Sequence, residues 1–346
     1  MKRIAIVIDL PNWAFDICAQ LIKKELEGIA DVDIFCLHVE PYNDNLFYML
    51  EQIKDYDYIH FLWRKQLLLF ESEKFINDVK DAGYNYNEYL NLIVPKISTA
   101  VCDHMFLKQE EIEEYKNVFN KYCSKYYVIS KKIYDIYCNI SEYKKPEKVI
   151  MDTYDKNRFI PQNLDRFQNA KDRTLIVGWV GNSAWNSKDG NNIDYKGLYT
   201  ILDPVLDELI SEGYNIERKY ADKQIKIIPN SEMPDYFKDI DVYITCSYQE
   251  GTPRPALEAM ACGVPIIATE VGIIPDILGD FQKEFIIGDR TKIGDDKVRK
   301  NLKQAIMRIY NDRSLLKKMS NENIENSSKF DSTNYKQVYI DFFLNR

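Results

Sequence analysis

Short continuous apolar runs alternate with amphipathic stretches along the whole chain. Such runs mark strands covered on both faces, and apolar residues three and four apart mark helices lying against them. In the first half the pattern predicts strands over 2–9, 32–39, 58–63, 96–102, 126–130 and 148–151. Helices are predicted over 13–26, 66–82, 110–121 and 132–139. This alternation is the order of a doubly wound parallel sheet. A polar stretch over 152–172, with Pro161 and no periodicity, reads as a linker. A second series follows, with strands over 175–180, 225–228, 241–246, 264–269 and 285–287. Its helices are expected over 198–212, 233–239, 255–262, 298–310 and 314–328, and a last amphipathic helix over 332–344. The fold class is therefore α/β.

Composition narrows the class of protein. A length of 346 residues suits two domains, and a hydrophobic share of 45% with 29% charged residues is that of a globular chain. No apolar run approaches the ~20 residues of a membrane helix. The opening MKRIAIVIDL is interrupted by Asp9 and reads as a first strand rather than a signal peptide. Seven cysteines without Cys-x-x-Cys spacing point to reduced thiols and a cytoplasmic setting, not to a disulfide framework or zinc. A formal net charge of −8 argues against non-specific nucleic-acid binding.

The candidate chemistry concentrates between Asp241 and Asp276. The order there is strand, polar loop, helix, strand, and such units take ligands where the loop meets the helix N-terminus. Unpaired N–H groups and the helix dipole favour phosphate at that point. Pro253 and Pro255 have no N–H, which leaves the amides of Gly251, Thr252 and Arg254 as donors. Glu250 on the loop and Glu258 in the helix frame it, and a carboxylate accepts two sugar hydroxyls at once. Two glutamates eight positions apart are common by chance, so the spacing alone carries little.

The whole string resembles the donor-site signature of retaining GT-B glycosyltransferases of family 4. That pattern is S-x-x-E-G-x-P-x-x-x-L-E-A-x-A-x-G-x-P, followed by an apolar strand and a G-x-x-P-E/D turn. Ser247, Glu250, Gly251, Pro253, Leu257, Glu258, Ala259, Ala261, Gly263, Pro265, Gly272, Pro275 and Asp276 stand in its places. The segment ending the first domain is similar too: Asp155, Phe159 and Pro161 keep the family frame, while Asp152 and Thr153 replace its Asn-Gly. The resemblance implies two Rossmann-like, doubly wound domains facing across a cleft. The first spans 1–168 and binds the acceptor, completed by a C-terminal helix over 331–346; the second spans 169–330 and binds the donor.

By the same resemblance the activity is transfer of a sugar from a nucleotide-sugar to a glycan, protein or lipid-linked acceptor, with retention at the anomeric carbon. No cofactor and no metal are implied. Glu250 is expected to hold the transferred sugar and Glu258 the ribose. Lys196, in the family's Lys-Gly pair with Gly197, neutralises the diphosphate; in its favour, it opens a helix after a strand–glycine turn. Gly181, Asn182 and Ser183 form the other donor loop, where Asn182 occupies the place of the family's arginine. Lys188 and Arg254 are the two candidates to replace that cation. In the first domain the glycine-rich loop is represented by 10–16, which contains no glycine, so Asn12, Trp13 and Asp16 become candidates. Trp13 is read in preference as a core residue of the first helix. His104 corresponds to a histidine near the reacting carbon, one residue later than the family order, with Asp103 beside it to orient it or the acceptor. His38 and His60 are read as structural, and Asp239-Ile240-Asp241 as a chance Asp-x-Asp at the start of a buried strand. Two alternatives stay open: a sugar phosphorylase on the same fold, and a degenerate donor-binding subunit. Peripheral contact with the inner face of a membrane is compatible with all three.

Overall fold

The computed structural model describes residues 1–103, 107–168, 173–184 and 194–345. The chain divides into two compact units, Met1–Thr153 with Ser332–Arg346, and Tyr154–Asp331. The division falls at 153/154 rather than 168/169. Its reason is local: Tyr154 bridges to Asp331, Phe159 packs on Phe237, and Phe167 joins the second core.

In the first unit the described residues form a six-stranded sheet, ordered β2-β1-β3-β4-β5-β6. Its strands are β1 (Lys2–Ile8), β2 (Ala30–Cys36), β3 (Tyr58–Phe61), β4 (Ile97–Val101), β5 (Lys125–Val128) and β6 (Lys148–Val149). Every pair is parallel. Ile4 to Ile8 are buried without a break, as a centre strand covered on both faces requires. The chain reverses direction across the sheet between β1 and β3, so the loop after β1 lies at the switch point.

Three expectations in this unit change. The helix predicted over 66–82 is two elements, a 3-10 stretch Arg64–Glu71 and a helix Glu73–Asp81. Ser72 separates them, its Oγ accepting the Phe75 N–H at 3.1 Å as a new N-cap. Two helices were not predicted, Leu46–Ile53 and Tyr86–Ile93. Each is announced by an asparagine cap, Asn45 and Asn85, ahead of an apolar run. Trp13 is not a core residue: it precedes the helix Ala14–Glu25 and is 40% exposed.

The last helix, Lys336–Phe343, sets Tyr339, Phe342 and Phe343 into the first core. His60 lies under it, fully buried, with Nδ1 2.9 Å from Ser98 Oγ and its ring stacked on Tyr127. Burial holds its pKa down to about 3, so it is a neutral core histidine.

The second unit carries the sheet order β10-β9-β7-β8, again all parallel. Its strands are β7 (Leu175–Gly181), β8 (Ile216–Asp222), β9 (Val242–Thr245) and β10 (Ile266–Ala268). No strand forms over 225–228, where a turn over 223–225 runs into irregular chain, and the strand is the charged segment IERKYAD before it. β8 is an edge strand, which tolerates Glu217, Arg218 and Lys219 where a central one would not. The strand predicted over 285–287 reduces to one bridge, Ala268 to Ile286, after a 3-10 turn Gln282–Phe285. Here the switch point lies between β7 and β9.

Candidate donor site

The loop after β9 is built by hydrogen bonds that leave its carboxylate facing a cation. Ser247 Oγ donates to Glu250 Oε1 at 2.9 Å, and the Lys196 ammonium pairs with the same oxygen. Thr269 Oγ1 holds the Ser247 carbonyl at 2.8 Å from the neighbouring strand end. Gly251 gives its carbonyl to the Ile273 N–H at 3.0 Å. The turn that supplies this N–H passes so close that a Cβ on Gly272 would lie 1.7 Å from Gly251 O. Gly272 also has φ of +50°, so glycine is required there twice over.

Helix Arg254–Ala261 starts from this loop, with Pro253 as its cap and Pro255 in its first turn. Of the three expected amides, that of Arg254 is already engaged: it donates to the Thr252 carbonyl at 2.8 Å. The backbone donors reduce to Gly251 and Thr252. The Thr252 hydroxyl oxygen adds a further group, buried and with no hydrogen-bond partner among the described residues. The Arg254 side chain is 9% exposed and its charge bears on Glu258.

The loop after β7 faces the same switch point. Asn182 does not imitate a free cation: its Oδ1 accepts from Ala184 N at 3.0 Å and from Gln224 Nε2 at 2.8 Å. Ser183 is buried, its N–H on Asp222 Oδ1 at 3.1 Å, and a Cβ on Gly181 would strike the Trp179 ring at 2.6 Å. Lys188 lies outside the described residues.

Lys196 and Gly197 lie beside the loop after β9, and Tyr248 N joins the two loops through the Tyr195 carbonyl at 2.7 Å. Lys196 lies before the helical stretch, whose cap is Gly197. Gly197 has φ of +66°, and a Cβ there would meet Cys246 O at 2.3 Å. The helix start behind it is not open to a phosphate. The buried Asp194 carboxylate already accepts from Gly197 N, Tyr199 N and Thr200 N, at 2.8, 2.7 and 2.9 Å. What Lys196 presents to the loop is therefore its ammonium, not a helix terminus.

Asp194 and Arg290 are the positioning residues that sequence reasoning missed. Arg290 is 3% exposed, with Nη1 on the carbonyls of Asp194 and Cys246, both at 2.9 Å, and a bidentate grip on Asp295. It clamps the two site loops together. Asp194 had a visible signal, an acidic residue just ahead of a helical run; Arg290 had none.

Glu258 is buried at 4% exposure and accepts a side-chain hydrogen bond from Asn230. Burial raises its pKa, and the charges of Arg254 and Arg158 pull the other way without cancelling the shift. The folded state therefore binds this proton at a pH where the unfolded chain, at the usual 4.5, has released it. Between those two values the folded form holds more protons, so stability falls as pH rises through the window. Glu258→Gln removes that loss: urea unfolding should show a flatter stability curve above pH 4.5 and a variant more stable than wild type toward neutrality. Parallel curves for the two proteins would contradict the burial argument.

In the first unit, the backbone of Asn12 turns with φ of +63° and gives its N–H to Asp16 Oδ2 at 2.7 Å. The Asp16 carboxylate thus fixes the loop at the switch point, while Trp13 stands beside it half-exposed. Both Asp103 oxygens are taken by the buried Arg64, at 3.0 and 2.7 Å. Asp103 thus anchors Arg64. His104 lies outside the described residues. Asp241 is bound to Arg173 and to Ile176 N, and Asp239 to Lys219, so this Asp-x-Asp serves ion pairs. Among the described residues no group of three or more His, Cys, Asp or Glu converges.

Comparison with known structures now places the architecture. The Anabaena protein HepE, crystallised with UDP and glucose, superposes with a TM-score of 0.67 at 13% identity over 99% of both chains. Sucrose-phosphate synthase from Thermosynechococcus elongatus matches at 0.67 and 15% identity over the full length of both. This is the GT-B fold. Residues 214–326, a stretch of the second unit that begins just before β8, match the model of the family described as glycosyl transferases group 1. Among curated proteins, Staphylococcus aureus Protein CapJ is 25% identical over 213 residues, 53% of this chain and 51% of that one. Escherichia coli O-antigen chain mannosyltransferase B is 31% identical over 78 residues, 22% of this chain and 20% of that one. The chain thus aligns with about half the length of CapJ and a fifth of the mannosyltransferase.

Proposed function

We propose that the chain is a glycosyltransferase that moves a sugar from a nucleotide-sugar to a glycan, protein or lipid-linked acceptor, in the cytoplasm. The observation that carries this is the Lys196–Glu250 pair, set with Gly251 and Thr252 at the switch point of the second sheet. Departure of a nucleoside diphosphate leaves negative charge, and a preorganised ammonium beside two loop amides lowers the barrier to it. Lys196 meets the diphosphate from its place on Glu250 Oε1, and the other oxygen of that carboxylate takes sugar hydroxyls. Glu258, further along the helix, holds the ribose. The reaction retains the anomeric configuration and needs no metal, as the family signature implies, and Lys196 supplies the charge compensation a metal would give. HepE with bound UDP and UDP-glucose gives support for a nucleotide-sugar donor on this fold.

The test is release of nucleoside diphosphate from a panel of nucleotide-sugars, using slow transfer to water where the acceptor is unidentified. One donor should be cleaved, with the sugar's anomer read by proton NMR, and Lys196→Ala should stop it. A second reading, a degenerate donor-binding subunit, is favoured by the anchoring of Asn182 on Gln224 in place of a free arginine. Nucleotide binding without cleavage of any donor would decide for that subunit.

A further inference from the structure

The first unit carries a cavity that the proposed reaction does not use. Its volume is about 400 Å³, and it lies where β3, β4 and β5 begin, at the opposite end of the sheet from the loop after β1. Tyr58, Lys96, Ser98, Lys125 and Glu147 line it, and Phe343 of the last helix adds an aromatic wall. A space of this size holds a small molecule. The lysines are placed by the backbone. Lys96 Nζ donates to the Lys54 carbonyl, and Lys125 Nζ to the Phe342 carbonyl from 4.6 Å above the Phe342 ring. Two ammoniums face one carboxylate, Glu147 at 4.0 Å from Lys125, so the lining is positive in a chain of net charge −8. Asp57, which also feels Lys96, is paired with Lys2.

The group that decides the chemistry is Ser98, 3% exposed, with Oγ 2.9 Å from Nδ1 of the buried His60. The ring shows which of the two gives the hydrogen. The Ser98 backbone also bonds His60 and pulls its pKa up against burial, as a carbonyl facing a ring N–H does. Nδ1 therefore carries the hydrogen of this neutral ring. Nε2, buried and without a hydrogen-bond partner among the described residues, is then a bare nitrogen rather than a stranded N–H. Ser98 Oγ accepts from Nδ1–H and keeps its own proton for the cavity it lines. Lys96 likewise keeps N–H donors beyond the one given to the Lys54 carbonyl. A hydroxyl proton and two ammoniums at one cavity suit a negatively charged acceptor, held by charge-assisted hydrogen bonds. We infer that this cavity binds a small organic anion, its carboxylate or phosphate on Ser98, Lys96 and Lys125 and its carbon body against Phe343. The inference concerns the first unit alone and stands or falls apart from the glycosyl-transfer proposal.

The experiment is thermal unfolding of the full chain with succinate, benzoate, glycerol 3-phosphate or inorganic phosphate, each against sodium chloride of equal ionic strength. At about a hundred times its dissociation constant, one of them should raise the melting temperature by roughly 5–10 °C. A response to carboxylates alone or to phosphates alone supports the site and names its head group. The shift should persist in Lys196→Ala, which separates this cavity from the donor loops. Titration should show K96Q binding about tenfold more weakly and S98A severalfold more weakly. K96Q gives up only the bond to the Lys54 carbonyl, so it carries the test should S98A fail to fold. No shift beyond that of chloride overturns the inference. So does a shift undiminished in K96Q, or one lost in Lys196→Ala, which would assign the anion to the donor site.

Discussion

Glu250→Gln lowers the rate of glycosyl transfer about a hundred- to a thousandfold, the usual cost of losing one preorganised charge contact in an active site. The amide is isosteric, so it can still accept the Ser247 Oγ–H that Glu250 takes at 2.9 Å. What disappears is the charge that holds Lys196 in place. Both side chains are partly exposed, at 25% and 16%, so their pair adds little to folding stability and the melting temperature should hardly move. Lys196→Ala should cost a similar factor, and the double variant little more than either single one, because the two act as a unit. Steady-state kinetics on the donor identified by the panel, with melting curves alongside, checks all three. Additive losses would mean that the two residues work independently.

Gly272→Ala has the largest expected effect on stability. The new Cβ would lie 1.7 Å from Gly251 O and would sit on a residue at φ of +50°. Left-handed strain and the forced shift of backbone against backbone together cost about 3 kcal/mol or more. For a unit of this size, that lowers the melting temperature by roughly 6–12 °C. Gly213→Ala is the control, since its φ of +92° has nothing within 4 Å, so it bears strain alone. Because Gly251 is the residue displaced, Gly272→Ala should also weaken nucleotide binding, which Gly213→Ala should not. Equal effects of the two substitutions would show that the contact with the Glu250–Gly251 loop is not what requires glycine.

These two sites mark what could be read from residues alone. The strand–loop–helix–strand unit from Asp241 was legible because its strands are buried on both faces and its turns need Gly and Pro. Glu250, Gly251, Thr252 and Lys196 could be named for the same reason, since each lies in or beside a turn of marked composition. The failures have a common cause in edges and tertiary partners. IERKYAD hides a strand because an edge lets charges stand in solvent, and the apolar QIKII beyond it imitates one. Arg290 is distant in sequence from the loops it clamps, and no local pattern announces it. Arg254 looked like a free phosphate donor until its own N–H closed on Thr252.

The most direct measurement is a thermal-shift panel of UDP, GDP, CDP, ADP and dTDP on wild type, Lys196→Ala and Glu258→Ala. A ligand at about a hundred times its dissociation constant stabilises the fold by roughly 2.7 kcal/mol, a readily seen shift. A donor site centred on Lys196 and Glu250 predicts that one nucleoside diphosphate raises the melting temperature of wild type and that both variants lose the shift while staying folded. No shift with any of the five on a folded protein, or a shift that survives in Lys196→Ala, would contradict it.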